Sequence, residues 1–298
     1  MESKASQDPV ECVANSQCEI GENPLWHPFE RRLYWCDIPR GRLFAFDPST
    51  RNYECCFESR TVGGFTIQAD GSLLLFMENG RVACWKNGEL RNVVTGIEND
   101  SSPRFNDVIA DPAGRVFCGT MSGRSGRGAL YRLDLDGSIH RLVDQVGCSN
   151  GLAFSRDGRT LFHIDSFAYT VFRFEYDPLD GTISNRRVFA RFTKSDGLPD
   201  GATVDADGNF WTALWGGGCI AQLGADGTIK RRIPIPAQKV SSLTFAGSDY
   251  SEVYVTTARQ EACREEGSLD GNLFRVQPNV RGIPEFLSRV DLSGRCQS

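Results

Sequence analysis

Four oxygen-bearing side chains recur at one phase of a repeated strand pattern, ten or eleven residues before an apolar strand begins. They are Glu22, Asn106, Asn150 and Asp200. Because residues at one phase of a repeat reach the same level of a fold, we expect these side chains to meet at one mouth of a central channel. Converging carboxylates repel each other unless a cation lies between them, and oxygen ligands suit a hard divalent cation. We therefore predict a metal held by Glu22, Asn150 and Asp200, with solvated strand caps as the alternative.

The elements that must position these side chains are short strands in six repeats. The second strands of successive repeats begin 40 to 49 residues apart. They start at Leu33, Leu73, Val116, Leu161, Phe210 and Val253. Turns of the Asp-Gly and Asn-Gly type separate the strands, and long helical periodicity is absent. A repeat of about 40–50 residues with four strands per unit is typical of a β-propeller, so we predict an all-β, six-bladed β-propeller. A β-sandwich is the alternative, but it does not explain such regular spacing.

The two ends of the chain give the expected domain limits. Residues 1–9 are polar and lack an apolar signal-peptide core, so we expect a disordered tail and then one propeller domain over residues 10–298. We expect residues 10–18 and 285–292 to share the last blade and close the ring. We also expect a cytoplasmic protein that is a monomer or a weak homo-oligomer.

Composition argues against several kinds of function. The net charge of −5 gives no basic excess for nucleic acid, and no apolar window approaches the roughly 20 residues of a membrane helix. The eleven cysteines are odd in number and contain no Cys-x-x-Cys pair, so we expect reduced, buried thiols rather than disulfides or zinc ligands. Only three histidines are present, and we expect His163, inside a predicted strand, to have a packing role.

Several motifs, in chain order, carry a resemblance to a known family. They are Gly21-Glu22-Asn23-Pro24-Leu25-Trp26, Arg104-Phe105-Asn106-Asp107, Gly119-Thr120-Met121, Ser149-Asn150-Gly151-Leu152, Ile164-Asp165-Ser166 and Pro199-Asp200-Gly201. Through these motifs the sequence resembles the regucalcin/gluconolactonase (senescence marker protein) family of six-bladed propellers. The resemblance implies hydrolysis of a sugar lactone, such as a glucono-, xylono- or arabinonolactone. It also implies one divalent cation, which in such proteins is calcium, zinc, manganese or iron.

The resemblance assigns roles to five residues. Glu22, Asn150 and Asp200 would bind the cation, and Arg104 and Asn106 would contact the substrate. Asp200 would also act as general base or proton shuttle, although activation of the water by the cation alone stays open. After Gly-Thr-Met the animal members carry paired acids, whereas this chain has a basic loop at residues 122–127, which leaves the sugar preference open.

Two other functions fit the same residues. A non-catalytic, calcium-binding regulatory propeller would bind the metal without turnover. An esterase of the same chemistry would act on other esters, such as aryl esters or organophosphates, and the basic Arg124 loop is compatible with that activity.

Overall fold

The structure is a computed structural model that describes residues 8–97, 104–123, 127–259 and 268–292. Within these ranges the chain forms 24 β-strands and one short 3-10 helix, Ser166–Ala168, as expected for the all-β class. None of the described segments is a helix long and apolar enough to cross a membrane. Residues 1–7 of the predicted tail lie outside the described residues, and Asp8 at its end forms an ion pair with Arg231 at 3.3 Å.

The strands form four separate sheets of four strands and one larger sheet of eight strands. Neighbouring strands are antiparallel in every sheet. The four smaller sheets are β2–β5 (Gly21–His27, Arg32–Asp37, Arg42–Asp47, Asn52–Glu58), β6–β9 (Val62–Ile67, Leu73–Met77, Val82–Lys86, Glu89–Val94), β10–β13 (Phe105–Ala110, Val116–Thr120, Gly128–Leu133, Ile139–Val146) and β14–β17 (Ser149–Phe154, Thr160–Asp165, Thr170–Tyr176, Ile183–Arg191). The larger sheet contains β18–β21 (Leu198–Val204, Phe210–Trp215, Cys219–Leu223, Ile229–Pro234) and β22–β24 (Lys239–Ala246, Glu252–Ala258, Leu273–Val276) with β1 (Val10–Ala14). One residue pair, Trp215 with Lys239, joins its two halves.

The last strand of each four-stranded sheet is more exposed than the three strands before it. Every residue of β6 and of β14 is buried, whereas most residues of β5 and β17 are exposed. Strands that pack on both faces are apolar along their whole length rather than at alternate positions. The most continuous apolar run, Leu73–Met77, forms a second strand, and the polar runs form the outer edges.

The first strands of the sheets lie around one central channel. β2, β6, β10, β14, β18 and β22 contact one another in that cyclic order, and β22 contacts β2 again. This propeller-like arrangement agrees with the sequence prediction. It gathers the beginnings of the inner strands, which carry Glu22, Asn106, Asn150 and Asp200, at one end of the channel.

The N-terminal strand β1 completes the last group of strands by pairing with β24, where Val10 lies opposite Val276. The expectation that the N-terminal residues would join the last blade is therefore confirmed for β1. The expectation for residues 285–292 is wrong, because they form no strand and do not join that sheet. Since β1 occupies the position beside β24, the C-terminal segment leaves the sheet.

Residues 281–292, which we call the C-terminal strap, instead cross the end of the channel opposite Glu22. They bind the end of one inner strand and the turns that follow two others. Ser288 N donates to Ile67 O at 2.8 Å, Arg289 N donates to Gly114 O at 2.8 Å, and Ala206 N donates to Arg281 O at 2.7 Å. The strap thus links distant sheets and covers the end of the channel opposite Glu22.

Candidate functional site

A β-bulge interrupts the inner strands at the level of the candidate residues. The pairing register shifts directly after Glu22 in β2, directly after Asn150 in β14, and around Asp200 in β18. A bulge bends its strand and re-aims the side chain at that point. The same local irregularity in separate sheets therefore turns these three side chains towards the channel, a feature that strand alternation in the sequence does not reveal.

Glycines beside the candidate residues allow the inner strands to approach one another closely. Gly151 has a φ of +51°, and a Cβ at this position would lie 2.7 Å from Asp200 O on the neighbouring strand. A Cβ on Gly63 would lie 2.0 Å from Phe105 O. Neither position has room for a side chain, so these glycines keep the channel mouth narrow enough for residues of different sheets to interact.

Hydrogen bonds at the mouth connect Arg104, Asn106 and Asn150. Arg104 Nη1 donates to Asn106 Oδ1 at 2.6 Å and also to Phe105 O at 3.0 Å. Asn106 Nδ2 donates to Asn150 Oδ1 at 2.6 Å and to Ser149 O at 2.9 Å. Both amide hydrogens of Asn106 are therefore occupied within the protein. No carboxylate within 4.0 Å pairs with Arg104 in the part of the chain that the structure describes.

The carboxylates of Glu22 and Asp200 are buried in the same mouth and influence each other. Glu22 is 9% exposed and Asp200 is 6% exposed. Burial and the negative charge of Glu22 hold the pKa of Asp200 well above its usual range. Burial and the charge of Asp107 raise the pKa of Glu22, while Arg104 opposes both shifts. The two predicted acidic residues thus meet from different sheets, at a site with an excess of buried negative charge.

The carboxylate of Asp200 is incompletely hydrogen-bonded. Its Oδ1 atom is buried and has no hydrogen-bond partner, whereas Glu22 Oε2 accepts a hydrogen bond from Asn23 N at 2.9 Å. Buried polar atoms are nearly always paired, so an unpaired carboxylate oxygen marks a place for an additional group. Carboxylate and amide oxygens are the donors that a hard divalent cation prefers, so this residue set fits such an ion.

The site does not consist of strong metal-binding side chains alone. Among the described residues no group of three or more histidine, cysteine, aspartate and glutamate side chains is arranged to hold a metal ion. The set of Glu22, Asn150 and Asp200 contains only two acids, and its third member is an amide. A cation held by these residues would therefore retain coordination positions for water or substrate.

Two acids at strand ends support the site without belonging to it. Asp165 accepts hydrogen bonds from Gly147 N at 3.0 Å and from Cys148 N at 3.2 Å, in the loop that leads to Asn150. Asp37 occupies the equivalent place beside Glu22 and accepts from Ile20 N at 3.2 Å. Because these carboxylates bind backbone amides, they order the loops that lead into the inner strands.

A serine–histidine pair lies directly beneath the mouth. Ser149 Oγ and His163 Nε2 are 2.8 Å apart, and both side chains are fully buried. Burial lowers the pKa of His163 to about 4, and its Nδ1 atom has no hydrogen-bond partner. A catalytic serine needs an accessible hydroxyl and an oriented base. This pair has neither, which agrees with the expected packing role of His163.

Two further polar residues at the site were missed as functional candidates, although both lie in the quoted motifs. Asp107 follows Asn106 and accepts a hydrogen bond from Leu152 N at 2.9 Å, and burial raises its pKa to about 6. Ser166 is 3% exposed and contacts Asn150. The sequence carries no signal for these contacts, because each joins residues from different parts of the repeat pattern. Within the basic loop, Arg124, Ser125 and Gly126 lie outside the described residues.

Comparison with known proteins shows which protein sequences resemble this chain. Residues 20–259 match the sequence profile of the SMP-30/gluconolactonase/LRE-like region. The chain is 45% identical to the pentonolactonase XacC of Haloferax volcanii, over 94% of this chain and 98% of that protein. It is 35% identical to the putative sugar lactone lactonase YvrE of Bacillus subtilis, over 90% of this chain and 94% of that protein.

A solved structure has the same fold. The crystal structure of the calcium-binding protein regucalcin from Agrobacterium tumefaciens superimposes with a TM-score of 0.88 at 24% sequence identity. The match covers 95% of this chain and 98% of that one. At this identity the likeness supports the propeller-like fold.

Proposed function

Because this chain belongs to the SMP-30/gluconolactonase/LRE-like family, we propose that it is a lactonase that opens a sugar lactone to the corresponding aldonic acid. Two relatives that align over nearly the whole chain are named as a pentonolactonase and a putative sugar lactone lactonase. The higher identity to the pentonolactonase favours a five-carbon aldonolactone, such as a xylono- or arabinonolactone, over gluconolactone.

The unpaired Oδ1 atom of Asp200 is the observation that carries this proposal. A divalent cation held by Glu22, Asn150 and Asp200 would satisfy that oxygen and offset the buried negative charge. Such a cation supplies polarisation of the lactone carbonyl and a lower pKa for a nearby water. Calcium, zinc, manganese and iron are all candidates, because oxygen donors alone do not select among them.

The side chains of the mouth have distinct roles in this reaction. Asp200 takes a proton from the attacking water and returns it to the ring oxygen as the acyl–oxygen bond breaks. Arg104, which has no carboxylate partner among the described residues, donates hydrogen bonds to the lactone oxygens. Asn106 has no free amide hydrogen, so it contacts the sugar by accepting from a hydroxyl at Oδ1.

We also propose that residues 10–298 form one domain with six blades. The ring of six inner strands supports this count. The eight-stranded sheet divides naturally at the single pair of Trp215 and Lys239 into two blades of four strands, one of which includes β1.

The test is hydrolysis of a panel of aldonolactones by the purified full-length chain. The panel contains xylono-1,4-lactone, arabinono-1,4-lactone and glucono-1,5-lactone, and acid release is measured after subtraction of spontaneous hydrolysis. We expect turnover that is highest for the pentonolactones, is lost in a chelator and returns with an added divalent cation. Absence of turnover across the panel would refute the lactonase proposal, and full activity in the chelator would refute the role of the cation.

A further inference from the structure

A directed series of hydrogen bonds runs from Arg104 beyond the predicted site residues. Arg104 donates to Asn106, and Asn106 donates to Asn150 Oδ1, both at 2.6 Å. The series then continues, because Asn150 Nδ2 donates to Ser166 Oγ at 3.0 Å. Ser166 Oγ donates in turn to Pro199 O at 2.6 Å. Pro199 directly precedes Asp200, so the series joins two of the proposed cation ligands.

The chemistry of the last member fixes the direction of the series. A backbone carbonyl can only accept a hydrogen bond, so the single hydroxyl hydrogen of Ser166 is directed to Pro199 O. Ser166 Oγ can therefore only accept from Asn150. The Asn150 amide must turn its nitrogen towards Ser166, which leaves its oxygen facing the channel.

The other end of the series imposes the same orientation independently. Arg104 can only donate, so the Asn106 oxygen faces Arg104 and the Asn106 nitrogen faces Asn150. A donor there requires an acceptor, and Asn150 presents Oδ1. If the Asn150 amide were rotated by half a turn, its nitrogen would face the nitrogen of Asn106, and two donors would oppose each other. Ser166 Oγ would then face the Asn150 oxygen and would receive no hydrogen bond from Asn150.

Ser166 is itself rigidly held and has no direct access to a substrate. It is 3% exposed, and it begins the 3-10 helix that follows Asp165. Its backbone N–H donates to Cys148 O at 3.0 Å, and its carbonyl accepts from Tyr169 N at 2.9 Å. A side chain anchored in this way can hold its neighbours in place.

We propose that Ser166 is a positioning residue that aims the Asn150 oxygen at the cation and ties it to the peptide preceding Asp200. This inference rests on the proposed cation site and extends it to a residue outside the ligand set. Without the hydroxyl, Asn150 Nδ2 keeps only a 3.7 Å contact with Cys148 Sγ, and Pro199 O loses the serine. The Asn150 amide is then held by Asn106 alone. Loss of a group that orients a metal ligand weakens metal affinity by about 10- to 100-fold.

The test measures cation affinity without substrate. Mn²⁺ is titrated into the full-length protein at fixed pH, and free Mn²⁺ is measured by electron paramagnetic resonance. We expect Ser166→Ala to raise the dissociation constant by about 10-fold or more, and Ser166→Thr, which keeps the hydroxyl, to restore most of the affinity. The matched control is Ser288→Ala, since Ser288 also has a fully buried, hydrogen-bonded hydroxyl but lies in the C-terminal strap.

The possible outcomes distinguish a failure of the proposed cation site from a failure of the positioning role of Ser166. A wild-type chain that binds no Mn²⁺ overturns the cation site and, with it, the role of Ser166. A wild-type chain that binds Mn²⁺ while Ser166→Ala binds equally well overturns only the positioning role. An equal loss in Ser288→Ala also overturns the positioning role, because the effect would then arise from general destabilisation.

Discussion

Replacing His163 tests the energetics of the packing directly beneath the site. The imidazole is fully buried, one nitrogen contacts Ser149 Oγ, and the other has no partner. Burial lowers the pKa of His163 from 6.5 to about 4, so the folded protein resists protonation of this ring while the unfolded chain does not. Stability from the neutral ring is therefore fully present above pH 6.5 and is lost as the pH falls towards 4.

The size of the effect follows from the two pKa values. At 1.36 kcal/mol per unit, a pKa difference of about 2.5 corresponds to about 3 kcal/mol of unfolding free energy at low pH. At about pH 5 the loss is already about 2 kcal/mol relative to about pH 8. Other groups titrate over this range, but they cancel when wild type and His163→Gln are compared at each pH, because glutamine has no charge.

The assay is urea-induced unfolding of both proteins at the two pH values, with a chelator present so that cation binding does not contribute. We expect the stability advantage of the wild type over His163→Gln to shrink by about 2 kcal/mol at the lower pH. Ser149→Ala serves as the control, because it removes the hydrogen bond but keeps the buried ring that causes the shift. A difference between wild type and His163→Gln that is the same at both pH values would refute the reasoning.

Three further predictions concern catalysis and stability. Asp200→Asn removes the proposed base and a charged ligand, so kcat/KM for an aldonolactone should fall by at least about 10²-fold with the circular dichroism spectrum unchanged. Asp205→Ala removes a buried acceptor for Trp211 Nε1 and Gln222 Nε2, so the free energy of unfolding in urea should drop by about 4 kcal/mol. Deleting residues 286–298 removes hydrogen bonds of the C-terminal strap worth about 1 kcal/mol each, so the melting temperature should decrease. An unchanged melting temperature would contradict the role of the strap in linking the sheets.

Much of the fold could be predicted from the sequence because it depends on local patterns. The regular spacing of strand starts and the Asp-Gly turns indicate short antiparallel strands, and the apolar runs indicate which strands are buried. The wrong prediction concerned residues 285–292, whose partners lie in other sheets. Nothing in that stretch distinguishes a strand from a segment that binds distant sheets, because its backbone hydrogen bonds span more than 150 residues of chain.

The candidate site could be predicted only as a set of residue types. The common phase of Glu22, Asn150 and Asp200 correctly placed them at one end of the inner strands. It did not predict the bulges that turn them inward. It also did not predict that Asn106 Nδ2 donates a hydrogen bond to the Asn150 oxygen. Ser166 went unnoticed because its role arises from Pro199, which lies 33 residues away in another sheet.

The sequence by itself determined the strands, their turns and the oxygen-bearing residues available to the channel, since these follow from local chain preferences and from a repeat that can be counted. Only the tertiary structure decided which way each amide faces and which carboxylate oxygen is unpaired. A hydrogen bond requires a donor and an acceptor in fixed relative positions, and here the two belong to different sheets. Packing of the sheets around the channel sets those positions, so local sequence cannot specify them.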